Sequence, residues 1–350
     1  MTARVRADLD ELPAYVAGRS IAGAIKLASN EVSAGPLPGV QEAIESAAAT
    51  VHRYPDMGAA ELVAELSERL DVPAEQLAVG CGSVAVCQQL VQAMCSPEHE
   101  VVFPWRSFEA YPILTRVAGA TGVPVPLTDE HAVDLDAMAA AITPATRVVF
   151  VCTPNNPTGT VLRRAELEDF LARVPEDVLV VLDEAYREFV TDPDAPDGVE
   201  LALRHGNVVS VRTFSKAYGL AGIRVGYAVG PVEVTAAVRK VCIPFSVNAL
   251  GQAAAVASLR ATEELRKRCD LIGSERVRVR TELVAAGYEV PQTQANFVWL
   301  PLGERAQAFA EHCVDHGVVV RAYAPDGVRV TIGDERENDA FLAAALAYRG

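Results

Sequence analysis

The chain reads as an α/β protein: a mainly parallel central sheet with helices on both faces, followed by a smaller α+β domain. Three observations predict this. Short Val-rich apolar runs alternate with helix-patterned stretches between residues 77 and 229, which is the pattern of parallel strands buried on both faces. Beyond Pro244 the pattern changes to a long helical stretch and then short strands. The 350 residues, half of them apolar, suit two domains of about 150 residues each.

Taken in order, PGVQEAIESAAATV and GAAELVAELSERL each place apolar residues on one helical stripe, and HRYPDMG between them reads as a turn. Strands are predicted at Leu77–Val79, Val101–Phe103, Thr121–Val125, Arg147–Cys152, Val178–Leu182, Val208–Val211 and Val225–Val229. A ligand of such a sheet belongs outside the carboxyl ends of its strands. After Pro244, one long connecting helix is predicted through Gly287, then strands at Asn296–Leu300, Val318–Arg321 and Val328–Ile332. The alternating charges from Glu263 to Arg280 read as a solvated helix face rather than an anion-binding strip.

The charge balance of 31 basic against 46 acidic residues, a net −15, argues against nucleic acid or an anionic membrane as partner. There is no apolar run long enough to span a bilayer and no hydrophobic stretch of a signal peptide after the first Met, so a soluble, cytoplasmic protein is expected. Seven cysteines with no CxxC pair read as reduced thiols, mostly in the core. His312 and His316 share a helix face but lack the HExxH glutamate, and no metal site is expected.

Four strand-end segments can carry chemistry. Thr213-Phe-Ser-Lys216-Ala-Tyr-Gly-Leu-Ala-Gly-Ile-Arg224 gathers hydroxyls, a lysine and an arginine. A desolvated lysine beside a second cation loses its proton and becomes a nucleophile able to form a Schiff base; taken alone, the segment is equally a glycine-rich loop with surface charges. In VLVVLDEAY an apolar strand ends at Asp183, with Tyr186 three residues on. A buried carboxylate there needs a cationic or N–H partner, though for an isolated strand a helix cap is the commoner use. VVFVCTPNNPTG ends a strand in a rigid loop where Asn156 offers both donor and acceptor, and Asn156–Pro157 is a candidate cis bond. LAVGCGSVA fits the GxGxxG/A fingerprint, but there is no convincing acidic residue at the end of a second strand to hold a ribose; it reads instead as an N–H nest at Ser83 and Val84 for one phosphate group.

Together these segments, with KLASNE, HRYPD, PFSVN, ANFVWL and VRVTIG, resemble the fold-type I pyridoxal-phosphate aminotransferases, specifically the histidinol-phosphate aminotransferase family, over nearly the whole chain. The resemblance implies an N-terminal arm (1–30) that is part of the small domain, a large cofactor-binding domain (31–243) and a small C-terminal domain (244–350). It implies that Lys216 anchors pyridoxal 5′-phosphate and shuttles the proton at the substrate α-carbon, and that Asp183 pairs with the pyridine nitrogen. Asn156 and Tyr186 are implied at the ring's phenolic oxygen. For the phosphate it implies Ser83, Val84, Thr213, Ser215 and Arg224. Phe108 would stack on the ring, and Tyr54 would reach the neighbouring subunit's site in a homodimer. Arg329 would clamp the substrate carboxylate, Arg321 the distal group, and Tyr15 would close over the site.

On substrate, Val84-Ala85 stands where histidinol-phosphate enzymes commonly carry acidic residues, and WRSFEAYPI differs from their tyrosine-containing segment. Both departures resemble the branch acting on aromatic amino acids, phenylalanine above all. Arg321 suits a phosphate but also stacks on an aromatic ring. The expectation is therefore an aromatic amino acid aminotransferase working by a ping-pong mechanism with a 2-oxo acid, with histidinol-phosphate transamination as the alternative. A decarboxylase of the same fold and a ligand-binding module without turnover are the readings from other classes.

Overall fold

The computed structural model describes residues 4–6, 9, 12 and 18–349. The strands in chain order are β1 (Ile25–Lys26), β2 (Leu77–Gly80), β3 (Glu100–Trp105), β4 (Thr121–Pro126), β5 (Thr146–Cys152), β6 (Leu179–Asp183), β7 (Val208–Thr213), β8 (Gly226–Val229), β9 (Phe297–Leu300), β10 (Val318–Val319), β11 (Arg321–Tyr323) and β12 (Gly327–Thr331). Strands β2 to β8 form one sheet in the order β2-β8-β7-β6-β5-β3-β4. Only β8 runs against its neighbours β2 and β7, so the sheet is mainly parallel, in accord with the α/β pattern.

Alternation along the strands explains the double-sided core. In β5, Val148 and Phe150 face one apolar layer with Val86, Leu90 and Phe103, while Val149 and Val151 face the other with Leu167, Phe170 and Leu201. Strands buried on both faces read as continuous apolar runs, and such runs marked these strands in the sequence.

The C-terminal layer holds two smaller sheets. Strand β12 lies between β9 and β11, antiparallel to both, and β10 pairs in parallel with β1, so the segment before residue 30 is tied to the C-terminal layer. Leu27 sits in that layer's core beside Val318, Val330 and Phe341. The stretch predicted as one strand, Val318–Arg321, is two strands serving two sheets. Val320 lies buried in the C-terminal core at the point where the chain passes from one to the other.

The predicted single connecting helix is two helices, Ala249–Arg260 and Thr262–Ala285. At the break the carbonyl of Leu259 accepts from Arg69 Nη1, far off in the sequence, at 2.9 Å and from the Thr262 hydroxyl at 3.2 Å, in place of a helical N–H. The charged face of the second helix is in part the solvated one expected, with Arg266 paired to Glu263 and Asp270. Arg276 departs from it: this side chain is buried and donates to the carbonyls of Phe189 and Ala295 at 3.0 and 3.2 Å, tying the helix to the 3₁₀ turn after β6 and to the segment before β9. The cysteines depart as well, since Cys87, Cys152 and Cys313 are buried but Cys81, Cys95, Cys242 and Cys269 are only half-buried, and all are free thiols. Among the described residues no helix is long and apolar enough to cross a membrane.

Candidate active site

The carboxyl ends of β5, β6 and β7 open on a cavity of about 220 Å³. It is lined by Ser83, Val84, Phe108, Asn156, Asp183, Tyr186, Thr213, Ser215, Lys216, Arg224, Arg321 and Arg329, so twelve of the residues singled out from the sequence meet there. Tyr54 does not line it. This ring is 82% exposed and stacks on Phe245 with ring centres 4.6 Å apart. Tyr15 lies outside the described residues.

Strand β6 ends in Asp183, which is buried. Its Oδ2 accepts from the Tyr111 hydroxyl at 2.7 Å and its Oδ1 from the Ala185 N–H at 3.3 Å. Burial pushes the carboxyl up, while these hydrogen bonds and the positive charge of Lys216 pull it down. The helix-cap alternative does not apply, since the chain after this strand makes only a single 3₁₀ turn at Arg187–Phe189. Tyr186, also buried, accepts from Asn30 Nδ2 at 2.9 Å, which leaves its own O–H to donate.

Past β7, the loop turns Lys216 into the cavity, where its Nζ donates to the Ser29 carbonyl at 3.1 Å. Burial, seconded by the like charges of Arg329 and Arg224, lowers the amine to about 7 against the pull of Glu31 and Asp183. A half-neutral amine at physiological pH is a competent nucleophile and base.

The nest predicted at Ser83 and Val84 is the first turn of the helix Ser83–Met94, entered through Gly82 at φ 82°. A Cβ at Gly82 would lie 2.3 Å from Arg224 Nη2, and one at Gly226 2.3 Å from the Ser83 nitrogen. Both glycines thus let an arginine and a strand close against the helix's N–H groups. Arg224 sits at φ 66° and is steadied by Ser215 Oγ at 3.0 Å and the Ala221 carbonyl at 2.9 Å. Hydroxyls, free N–H groups and a guanidinium converge here as a built anion cradle.

Asn156 is buried, and the Asn156–Pro157 bond is cis, as is Thr153–Pro154. Its Oδ1 accepts from Arg329 Nη1 at 2.5 Å. Arg329, on β12, is buried too; its Nη2 donates to the Ala28 carbonyl at 2.8 Å, and its Nε has no hydrogen-bond partner among the described residues. A buried guanidinium held by neutral oxygens keeps its full charge for a carboxylate ligand. Arg321 is different: its Nη2 pairs with Glu109 Oε2 at 2.9 Å.

Tyr111, Asn30, Glu109 and Tyr323 were not found from the sequence. Tyr111 lies in WRSFEAY, three residues after Phe108 and in the first turn of the helix Ala110–Val117 that follows it; its N–H donates to the Phe108 carbonyl at 3.1 Å and its ring stands edge-on to Phe108 with centres 5.6 Å apart. That spacing was the one signal available. His312 and His316 lie outside the cavity, with His312 Nε2 3.0 Å from the Ala344 carbonyl.

Fold and site together define a transferase of the fold-type I architecture: a mainly parallel sheet whose carboxyl edge gathers a lysine of lowered pKa, a buried aspartate, an anion cradle and a second arginine. The family model for aminotransferase class I and II matches residues 22–344, and the chain belongs to that family. A protein of Rhodococcus jostii named aromatic amino acid aminotransferase is 61% identical over 347 residues, 99% of this chain and 96% of its own length. One of the same name from Streptomyces coelicolor is 56% identical over 350 residues, covering 99% and 98%. Among solved structures, the histidinol-phosphate aminotransferase of Sinorhizobium meliloti in complex with pyridoxal-5′-phosphate superposes with a TM-score of 0.89 at 28% identity, over 99% of this chain and 97% of that one.

Proposed function

We propose that the chain is a pyridoxal-5′-phosphate-dependent aminotransferase that moves the amino group between an aromatic amino acid, phenylalanine or tyrosine, and a 2-oxo acid in two alternating half-reactions. The observation that carries the substrate class is the full-length likeness to proteins named for it, at 56–61% identity. The residues present fit the cofactor: the cradle of Ser83, Val84, Thr213, Ser215 and Arg224 suits its phosphate, and Gly82, lacking a Cβ, lets the Arg224 guanidinium close on it. Buried Asp183, bonded to a hydroxyl and a backbone N–H, suits a protonated ring nitrogen.

When bound, pyridoxal phosphate supplies the electron sink and the carbon that carries the amino group from one substrate to the other. The protein's part is binding and proton movement. Lys216 would hold the cofactor and, as a buried amine turned into the cavity, would take and return the proton at the substrate α-carbon. Asp183 would pair with the ring nitrogen and favour its protonated form. Asn156, whose Oδ1 is committed to Arg329, donates through its amide nitrogen, and Tyr186 through its hydroxyl, to the ring's phenolic oxygen. Phe108, which lines the cavity, would pack on the ring. Arg329 grips the substrate carboxylate bidentately, and Arg321 lies towards the distal group.

The enzyme is read as a cytoplasmic homodimer. Tyr54 and Phe245 stack as an exposed aromatic pair, and Met57 and Ile243, close to them in the chain, are exposed too; a second copy would cover them, with Tyr54 reaching the neighbouring site. The alternative substrate, histidinol phosphate, draws on the likeness to the S. meliloti enzyme and on Arg321.

An amino-donor panel on cofactor-loaded protein tests the reading, with kcat/KM for phenylalanine exceeding that for histidinol phosphate. A large preference for histidinol phosphate overturns it. Lys216→Ala should lose turnover and the visible absorbance of the bound cofactor; normal turnover in that variant refutes the mechanism. Release of CO₂ from the amino acid would mark a decarboxylase instead.

A further inference from the structure

The two arginines that face the substrate end of the cavity are in opposite electrostatic states. Arg329 donates to neutral oxygens, those of Asn156 and Ala28. Arg321 instead forms an ion pair with Glu109, Nη2 to Oε2 at 2.9 Å, and both partners line the cavity. The side chains are 13% and 28% exposed, so water screens the pair only in part. Arg106 repeats the arrangement nearby: it pairs with Asp326 at 2.7 Å and lies over the Trp105 ring at 4.6 Å. Tyr323 stands among the three, its ring centre 5.4 Å from the Arg321 guanidinium, 5.6 Å from that of Arg329 and 5.8 Å from that of Arg106. On the Arg321 side the outer pocket therefore presents the Tyr323 ring and a guanidinium plane whose charge is already met by Glu109, whereas the charge of Arg329 is left for a ligand.

We propose that Glu109 sets the donor class, holding Arg321 as a neutral ion pair so that the outer pocket takes an uncharged aromatic ring and turns away a side chain ending in phosphate. A ring stacks on the guanidinium face and on Tyr323 without disturbing the pair. A phosphate must either displace Glu109 from Arg321 or bind beside its carboxylate, and both are costly in a partly desolvated site. Glu109 touches neither the cofactor nor the reacting atoms in this reading; it acts through Arg321 as a specificity residue. The inference rests on the aromatic reading of the site above.

The test compares cofactor-loaded wild type with Glu109→Gln, which keeps the shape and removes the charge, and with Glu109→Asp, which keeps the charge. Donors are phenylalanine and histidinol phosphate. In Glu109→Gln the ratio of kcat/KM for histidinol phosphate to that for phenylalanine should rise by about tenfold or more, chiefly through a lower KM for the phosphate. Histidinol phosphate should also become a correspondingly stronger competitive inhibitor against phenylalanine. Glu109→Asp should keep the wild-type order of preference. A Glu109→Gln ratio within twofold of a phenylalanine-preferring wild type overturns the role of Glu109 and leaves the aromatic reading standing. A wild type that itself prefers histidinol phosphate overturns both.

Discussion

Removing the Arg329 guanidinium should move the Lys216 amine back towards the alkaline range of an ordinary lysine. In the cofactor-free protein burial is the first cause of its low value of about 7, and Arg329 is the second, ahead of Arg224. At pH 7 such an amine is about half neutral, whereas a lysine of pKa about 10.4 is about 0.04% neutral, a difference of roughly a thousandfold in the reactive form. Arg329→Gln removes a like charge while keeping an N–H donor for Asn156. A like charge lining the same partly desolvated cavity raises the cost of protonation, and its removal should lift the amine by about one pKa unit or more, with a fall of about fivefold or more in labelling at pH 7. The assay is brief reaction of cofactor-free protein with an amine-specific reagent across pH, followed by peptide mapping of Lys216 against exposed Lys240. The wild-type half-point should fall near 7. A half-point above 9, or an Arg329→Gln variant whose half-point is unmoved or lower, would refute the reasoning. Stability gives a second reading of the same group. Its folded value lies below the unfolded 10.5, so the cofactor-free protein gains stability from this residue as pH rises from about 7 towards 10.5. Lys216→Met should remove that part of the slope.

Tyr111→Phe deletes the hydroxyl that donates to Asp183 at 2.7 Å; a hydrogen bond to a charged group contributes about 1.5–3 kcal/mol, so kcat/KM for phenylalanine should fall by roughly 10- to 100-fold, and a loss under twofold would make the bond a spectator. Gly226→Ala puts a Cβ 2.3 Å from the Ser83 nitrogen and 2.7 Å from the Gly82 carbonyl carbon, both backbone atoms that cannot turn aside. It should cost about 3 kcal/mol or more in denaturant unfolding and weaken cofactor binding, and a fully stable, tight-binding variant would contradict the close approach. Glu188, whose Oε2 has no hydrogen-bond partner among the described residues, is raised by burial to about 7 against the pull of Arg212. A carboxyl raised on folding is a penalty fully present above pH 7 and absent below about 4.5, so Glu188→Gln should raise Tm at pH 8 and change it little near pH 4.5. A larger gain at the acid end would reverse that sign.

How legible each residue was in the sequence depends on how far its role reaches along the chain. Lys216, Asp183 and Asn156 each lie at or just beyond the end of an apolar strand, and the rule that ligands gather at the carboxyl edge of a parallel sheet is enough to place them together. The N–H nest at Ser83 was legible for a similar reason, because Gly82 and Ser83 sit directly between a strand and a helix. The partners of these groups were not, because pairing depends on which distant segment the tertiary fold brings alongside. Tyr111 reaches Asp183 across 72 residues, Asn30 reaches Tyr186 across 156, and Glu109 reaches Arg321 across 212. No local pattern encodes those contacts. Even the two helices after Pro244 were read as one because the contact at their interruption comes from Arg69, 190 residues before the carbonyl it captures. The same limit explains the charges. Arg321 and Arg329 occupy register-paired positions on β11 and β12 and look equivalent as sequence, yet one is neutralised by Glu109 and the other is held by an amide and a backbone carbonyl. A guanidinium's use as anion clamp or as stacking plane is thus decided by its neighbours' charge, which only the folded arrangement supplies.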